Sequence, residues 1–424
     1  MKISAVVGMN YGDEGKGHIV NYLSDARTLN VRFNGGAQAG HGVKTSSGQE
    51  HIFHHFGSGT LRGARTLFAP HFIVNPLMFF KELKELLDKK APVREVFVDP
   101  LCRISTPYDM LINEYASKQE GTTMTCGLGI NETVERSQYR QLKILARDLV
   151  DKSEGQLKDV LYIIENEYLP YRLEKLHLDD REFRRWAIDK MGGFAIVDNF
   201  VDYARRMMKN SVMWETSDLL ERYCAKEPGR QVVFEGAQGM RLDQKRKDLM
   251  PYLTRSSTGM RNVVEVLNRL RSEVELDVYL VTRTYLTRHG DGPVLNEVDG
   301  LPYKGVENYT NPENKFQGAM RYGYLDLDWC KQAVKEIKED LGKVKYRPSS
   351  TAKVGVALTC LDHLTDFTKE FRLRTIAGVS TLSLLRLIHH EKSGVRSSDV
   401  VAAFPDLLLF STGRTEKDVQ PFHI

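Results

Sequence analysis

The sequence predicts an α/β protein with a mostly parallel central sheet, flanking helices and a helical insertion. Three observations carry this expectation. Short β-branched runs recur with helical stretches between them; several of these runs end in Gly, Asp, Thr or His; and the block from about 140 to 226 is charged, heptad-like and poor in glycine. Alternating strands and helices need crossover connections, which make neighbouring strands parallel and gather ligand loops at the carboxyl edge.

The strand-like runs lie at 2–8, 29–34, 66–74, 95–99, 231–235, 276–286, 353–359 and 406–411. The first, Lys2 to Gly8, has an apolar β-branched centre. Ile19 to Leu23 resumes an apolar pattern at helical spacing, so "GMNYGDEGKG" between them is a turn from strand to helix. The block containing "LKILARDLVDKSEGQLKDVLYIIENEYLPYRLEKL" reads as successive helices. No Pro-, Gly- or Ser-rich linker sets it apart, so residues 1–424 are expected to form one domain carrying a helical insertion at about 140–226.

At 424 residues and 41% hydrophobic content the chain can bury a sizeable core. Sixty basic against 56 acidic residues leave a formal charge of +4, too small a surplus at this length to argue for nucleic acid or a membrane surface. Acidic small molecules remain compatible. The five cysteines are widely spaced and without C-x-x-C pairing, which favours free thiols in a reducing compartment. No apolar run approaches a membrane span, and a cytoplasmic protein is expected.

The glycine-rich turn carries the first chemistry. It is not a Walker loop, because Gly17 rather than a hydroxyl residue follows Lys16. Backbone N–H groups at a helix start nevertheless bind anions, glycine allows close approach, and Lys16 adds charge. Asp13 and Glu14 would repel a bare phosphate, so two acids at this turn imply either bound Mg²⁺ or a proton to be moved. Further glycine-rich or polar loops follow other strands: "RFNGGAQAGHG" (32–42), "VVFEGAQGMRLD" (232–243), "YLTRHGDGP" (285–293), "ALTCLDHL" (357–364) and "LLFSTGRTEKDV" (408–419).

In order and approximate separation these stretches resemble adenylosuccinate synthetases across nearly the whole chain. The resemblance implies a Mg²⁺-dependent ligase that uses GTP to replace the 6-oxo group of inosinate (IMP) with L-aspartate, acting as a homodimer. By that resemblance Asp13 is the general base at purine N1, and His41 neutralises charge on the transferring phosphoryl group. Gly12, Gly15, Lys16, Gly17, Gly40, Asp362 and Gly413 hold the triphosphate, and Asp13 with the Gly40 carbonyl reaches the metal. Gln38, Gln238 and Thr254 contact the purine monophosphate. Arg136 corresponds to an arginine that crosses the dimer interface to its phosphate. Arg321 and Lys315 belong to the amine-donor loop.

Departures from the family pattern fall on specificity positions. Cys360 stands where the guanine signature has lysine, Arg414 replaces a proline beside the triphosphate base, and Cys126 stands at a usual arginine. His289, within "TRHGDGP", replaces what the family usually has as an apolar residue near the ribose. These changes leave GTP and ATP or dATP open as phosphoryl donors. They also leave open inosinate and a guanylate (GMP or dGMP) as the purine, the latter being the substrate of a viral 2-aminoadenylosuccinate branch. A different amine donor and a degenerate nucleotide-binding regulator are the remaining alternatives. Survival of Asp13 and His41 beside altered specificity positions argues against the regulator.

Overall fold

The computed structural model describes residues 1–120, 127–191, 196–300, 319–345, 350–364, 371–375, 378–382, 404 and 406–422. In chain order its main sheet contains β1 (Lys2–Gly8), β2 (Thr28–Arg32), β3 (Arg65–Phe68), β4 (Val96–Val98) and β5 (Val212–Met213). It continues with β6 (Gln231–Gly239), β7 (Glu275–Arg283), β8 (Thr351–Thr359), β9 (Leu407–Ser411) and β10 (Val419–Pro421). Their spatial order is β10-β9-β8-β7-β1-β6-β2-β3-β4-β5. All neighbours are parallel except β9 and β10.

Every expected run contributes a strand to this sheet. Two of them break where the chain must turn. The run at 66–74 splits into β3 and the short strand Ile73–Val74, which pairs with Arg103–Ile104. The run at 276–286 ends as β7 at Arg283, and Tyr285–Arg288 leaves to pair antiparallel with Arg321–Asp326. The edge strands β5 and β10 are only two and three residues long, too short to leave a periodic signal. The central strands are covered on both faces: β2 is buried throughout, and β1 everywhere but Lys2.

Helices fill most of 148–226: Asp148–Asp151, Glu154–Ile163, Leu169–Lys175, Asp180–Met191, Ile196–Lys209 and Thr216–Lys226. Ser153 starts the second with a capping box, accepting from the Gln156 backbone while Gln156 returns a bond to the Ser153 N–H. Leu157, Leu161, Leu173, Phe183 and Phe200 share one apolar cluster with Phe68, Phe72 and Phe79, so these helices rest on the β3 and β4 side of the sheet. Among the described residues no helix is long and apolar enough to cross a membrane.

Parallel strands deliver all their carboxyl ends to one edge. The turns after β1, β2, β6, β7, β8 and β9 therefore meet there, and β1 lies between β6 and β7 at the centre. These are the loops that carry the motifs.

Candidate active site

The turn after β1 leads into helix α1 (Lys16–Leu23). Gly12 (φ 120°) and Gly15 (φ 88°) adopt the conformation that L side chains resist. A Cβ on Gly8 would lie 2.4 Å from Glu14 Oε2, so glycine is needed where the Glu14 carboxylate folds back. Glu14 is buried, accepts from the Asn10 N–H, and lies 3.8 Å from Lys16 Nζ, which donates to the Gly12 carbonyl. Burial raises the Glu14 carboxyl to about 7 despite Lys16, and burial lowers the Lys16 ammonium despite Glu14. One of the two acids thus braces the turn. The other, Asp13, is partly exposed, and among the described residues its carboxylate has no hydrogen bond or ion pair. Its backbone carbonyl accepts from Thr287 Oγ1 at 3.3 Å.

His41 opens the strand His41–Lys44, which lies against the start of α1. A Cβ on Gly17 would come within 2.8 Å of His41 Cβ, so Gly17 lets the histidine seat there. His41 Nδ1 is 2.5 Å from Glu235 Oε1, and both residues are buried. Glu235 Oε2 accepts from the Ser58 N–H at 2.9 Å, and the Ser58 hydroxyl donates to Oε1. Burial pushes the Glu235 carboxyl up, but Arg32, His41 and Ser58 together hold it at about 2. Burial brings His41 down to about 4, against the pull of Glu235. Near pH 7 His41 is therefore a neutral imidazole held by the Glu235 carboxylate.

Glu235 and Ser58 escaped the sequence reading. The signal for Glu235 was present: a lone acid inside the apolar run "VVFEG" on a central strand must be buried and paired.

A cavity of about 1170 Å³ opens at the carboxyl ends of β2 and β6, lined in part by Gln38, Gln238, Thr254, Arg288 and His289, with neither His41 nor Glu235 on its wall. Gln38 folds over Gly35 and Gly36, where side chains would crowd its amide, and neither end of that amide has a hydrogen-bond partner. Gln238 adopts a left-handed conformation (φ 63°), and a Cβ on Gly12 would meet its Cα at 3.0 Å. The turns after β1 and β6 are therefore fitted to one another.

On the opposite side of α1, Thr359 Oγ1 donates to the Glu14 carbonyl at 2.8 Å, bringing the turn after β8 to the glycine loop. Asp362 follows in the one-turn helix Leu361–Leu364, beyond Cys360 at φ 61°. Ser411 Oγ shares a 2.8 Å hydrogen bond with His18 Nε2 and donates to the Gly413 carbonyl. A Cβ on Gly413 would strike the Asp418 carboxylate at 2.6 Å. Gly15, Lys16, Gly17, Asp362 and Gly413 are thus drawn around the start of α1. Gly40, just before His41, is exposed.

Two expected ligand contacts have other partners. Arg136 is fully buried: its Nε and Nη2 bond both oxygens of Asp109 at 2.8 Å, and its remaining donors go to the Ile104 and Leu142 carbonyls. A guanidinium with this set of partners cannot extend across a dimer interface, so that expectation is corrected. Arg321 forms a two-point bond to Glu297 (2.7 and 2.6 Å) and donates to the Gly290 and Gly292 carbonyls. It braces a loop in this state. Lys315 and Cys126 lie outside the described residues.

Known proteins share this fold. The adenylosuccinate synthetase family pattern matches residues 5–341. Adenylosuccinate synthetases of Borrelia duttonii and Trichormus variabilis are 27% and 31% identical to the chain, over 79% and 78% of it and 74% and 70% of their own lengths. The fully ligated adenylosuccinate synthetase of Plasmodium falciparum superposes over 99% of both chains with a TM-score of 0.71 at 17% identity. The cyanophage S-2L succinoaminodeoxyadenylate synthetase, solved with dGMP and dATP, covers 99% of this chain and 95% of its own with a TM-score of 0.57 at 13% identity. The loop order, the fold and the matched span make this chain a member of the adenylosuccinate synthetase family, a family of carbon–nitrogen ligases in purine nucleotide biosynthesis.

Proposed function

We propose that this chain uses a nucleoside triphosphate to activate the 6-oxo group of a purine nucleoside monophosphate and replaces it with the amine of L-aspartate. One observation carries the reading: the Asp13 carboxylate, without a hydrogen bond among the described residues, stands on the turn that opens α1, and the buried His41–Glu235 pair packs against the same helix start at Gly17.

Asp13 takes the proton from purine N1 as O6 attacks the γ-phosphorus. The O6–P bond forms, the P–O bond to the nucleoside diphosphate breaks, and the leaving oxygen keeps that electron pair. The triphosphate lies along the N-terminal N–H groups of α1, with Lys16 beside it. Its charge raises the affinity of His41 for a proton, so Nε2 donates to the transferring group while Nδ1–H stays on Glu235. The aspartate amine then attacks C6, the C6–O6 bond breaks, and phosphate departs with O6. Positioning and charge stabilisation supply most of the acceleration in phosphoryl transfer.

Mg²⁺ fits the donors present. Asp13 and the Gly40 carbonyl are hard oxygens on residues that solvent reaches, and they would hold the ion together with the triphosphate. The ion would neutralise charge on the triphosphate. Gln38, Gln238 and Thr254 line the purine site, while Asp362 and Gly413 flank the triphosphate base, which is guanine or adenine in this reading. A homodimer and a cytoplasmic location belong to the same proposal.

The purine is inosinate in the first reading. A guanylate is the second, supported by the likeness in fold to the cyanophage synthetase solved with dGMP. Replacing Asp13 with alanine tests the common chemistry: turnover should fall about 10²- to 10⁴-fold with nucleotide binding retained. Near wild-type turnover would remove Asp13 from the mechanism.

A further inference from the structure

The cavity wall is uneven in charge. It carries six basic side chains and two acidic ones, and four of the six, Lys245, Lys247, Arg255 and Arg261, come from the segment that follows β6. Lys245 is paired with Glu336 at 2.9 Å, whereas Lys247 and Arg261 are exposed and have no ion pair among the described residues. The backbone is fixed on both sides of Arg255. The Thr254 N–H donates to the Leu242 carbonyl at 3.0 Å, and the Gln244 N–H donates to the Ser256 carbonyl at 3.2 Å. The Ser256 hydroxyl accepts from the Gly35 N–H at 3.2 Å, which joins this segment to the loop that carries Gln38.

Thr254 is the residue expected at the monophosphate, and a phosphate dianion is best met by a permanently charged fork of donors. Arg136 cannot supply it, because Asp109 and two carbonyls enclose its guanidinium. Arg255 directly follows Thr254, lines the cavity and has a side chain that is 39% exposed. It donates through Nη1 to a single carboxylate, that of Glu135 on the helix Ile130–Arg136. An ion pair this open to water is weak, and a dianion that accepts two guanidinium bonds outcompetes it. Glu132, nearer the cavity on the same helix, does not draw on Arg255, because Arg172 bonds both its oxygens at 2.7 and 2.9 Å.

We propose that Arg255 holds the phosphate of the purine nucleoside monophosphate from within the same subunit, and that Glu135 competes with that phosphate for the guanidinium. This rests on the amination reading above, which puts the monophosphate at Thr254. The site thereby departs from the shared pattern in which an arginine reaches the phosphate across a dimer interface. Lys247 and Arg261, on the same wall, supply further positive charge that draws a dianion towards Arg255. The contact is made to the phosphate alone, so inosinate and guanylate are equivalent for this residue.

The test measures equilibrium binding of IMP and GMP to the full chain, comparing wild type with Arg255→Ala, Arg255→Lys, Glu135→Gln and the double variant Glu135→Gln/Arg255→Ala, with circular dichroism to confirm folding. Arg255→Ala should weaken both monophosphates about tenfold or more, the scale of a lost bond between charged groups. Arg255→Lys, which keeps the charge without the fork, should recover part of that loss. Glu135→Gln should instead tighten both by about two- to fivefold, the scale of an exposed ion pair, and the gain should vanish once Arg255 is alanine. Unchanged affinity in a folded Arg255→Ala protein would overturn the proposal. A Glu135→Gln protein that binds no more tightly than wild type would do the same, since a merely structural ion pair loses affinity when either partner is removed, and a gain that persists in the double variant would overturn the competition for Arg255. Absence of succinylated product from wild type with triphosphate, Mg²⁺, aspartate and either purine would defeat the amination reading, while the opposite signs of the two single variants would still decide the role of Arg255.

Discussion

Substituting Glu235 by glutamine removes one charge from beneath His41 while keeping the shape of the side chain. The carboxylate is fully buried and receives His41 Nδ1 at 2.5 Å together with two bonds from Ser58. A hydrogen bond to a charged group contributes about 1.5–3 kcal/mol, and its ionic part matters most when His41 becomes positive during phosphoryl transfer. At about 1.4 kcal/mol per tenfold, kcat should fall about 10- to 100-fold. KM for the monophosphate should move little, because Glu235 is not on the cavity wall. The pH profile adds a second readout. Without the neighbouring anion the imidazole protonates less readily, so the limb that reports its protonation moves to lower pH. Steady-state phosphate release between pH 5 and 9, with circular dichroism to confirm folding, measures both. A folded Glu235→Gln enzyme with kcat within about twofold of wild type and an unmoved profile would refute the pairing as a catalytic device.

Gly17→Ala places a methyl group 2.8 Å from His41 Cβ, and such overpacking costs about 1–3 kcal/mol; urea unfolding should show a loss of this size and phosphate release a marked drop. A fully active alanine variant would mean that α1 does not fix His41. Arg136→Ala breaks a buried ion pair and should destabilise the fold by about 3–5 kcal/mol, read as a lower thermal midpoint, with no specific rise in KM for the monophosphate. Wild-type stability with a raised KM would restore the phosphate contact. Burial lowers His18 and His41 to about 4 and His55 to about 3, so the unfolded chain binds protons that the native state excludes. Their contribution is complete above about pH 6.5 and is lost as pH falls towards 4, at about 1.4 kcal/mol per pH unit for each proton. Glu14, raised to about 7, acts in the opposite sense between about 7 and 4.5, one group against three. Urea midpoints should therefore fall from pH 7.5 to pH 5, and equal midpoints would contradict the assignment.

The sheet was legible because both-face burial writes central strands such as β1, and the first half of β6, as near-continuous apolar runs. Short edges such as β5 offer no such signal. The glycine loop was legible as an anion turn, but the division of labour between its acids was not. That Glu14 folds inward onto Lys16 and Asn10 while Asp13 stays outside depends on the Gly8 approach, which is a tertiary fact. Arg136 shows the limit of alignment by residue type. The family pattern suggested a reach across a dimer interface, yet Asp109, 27 residues earlier, captures it in the core. His41 was found by its glycine context, whereas its partner Glu235 needed the strand pairing that sets β6 beside β1 and β2.

Isotope transfer tests the central claim most directly. Inosinate and guanylate labelled with ¹⁸O at O6 are incubated with the enzyme, a nucleoside triphosphate, Mg²⁺ and L-aspartate, and the released inorganic phosphate is analysed by mass. Attack of O6 on the γ-phosphorus followed by C6–O6 cleavage predicts one ¹⁸O in every phosphate formed with the succinylated purine. Unlabelled phosphate, with the label retained on the purine, would mean that the triphosphate is simply hydrolysed and that the chain does not activate the 6-oxo group.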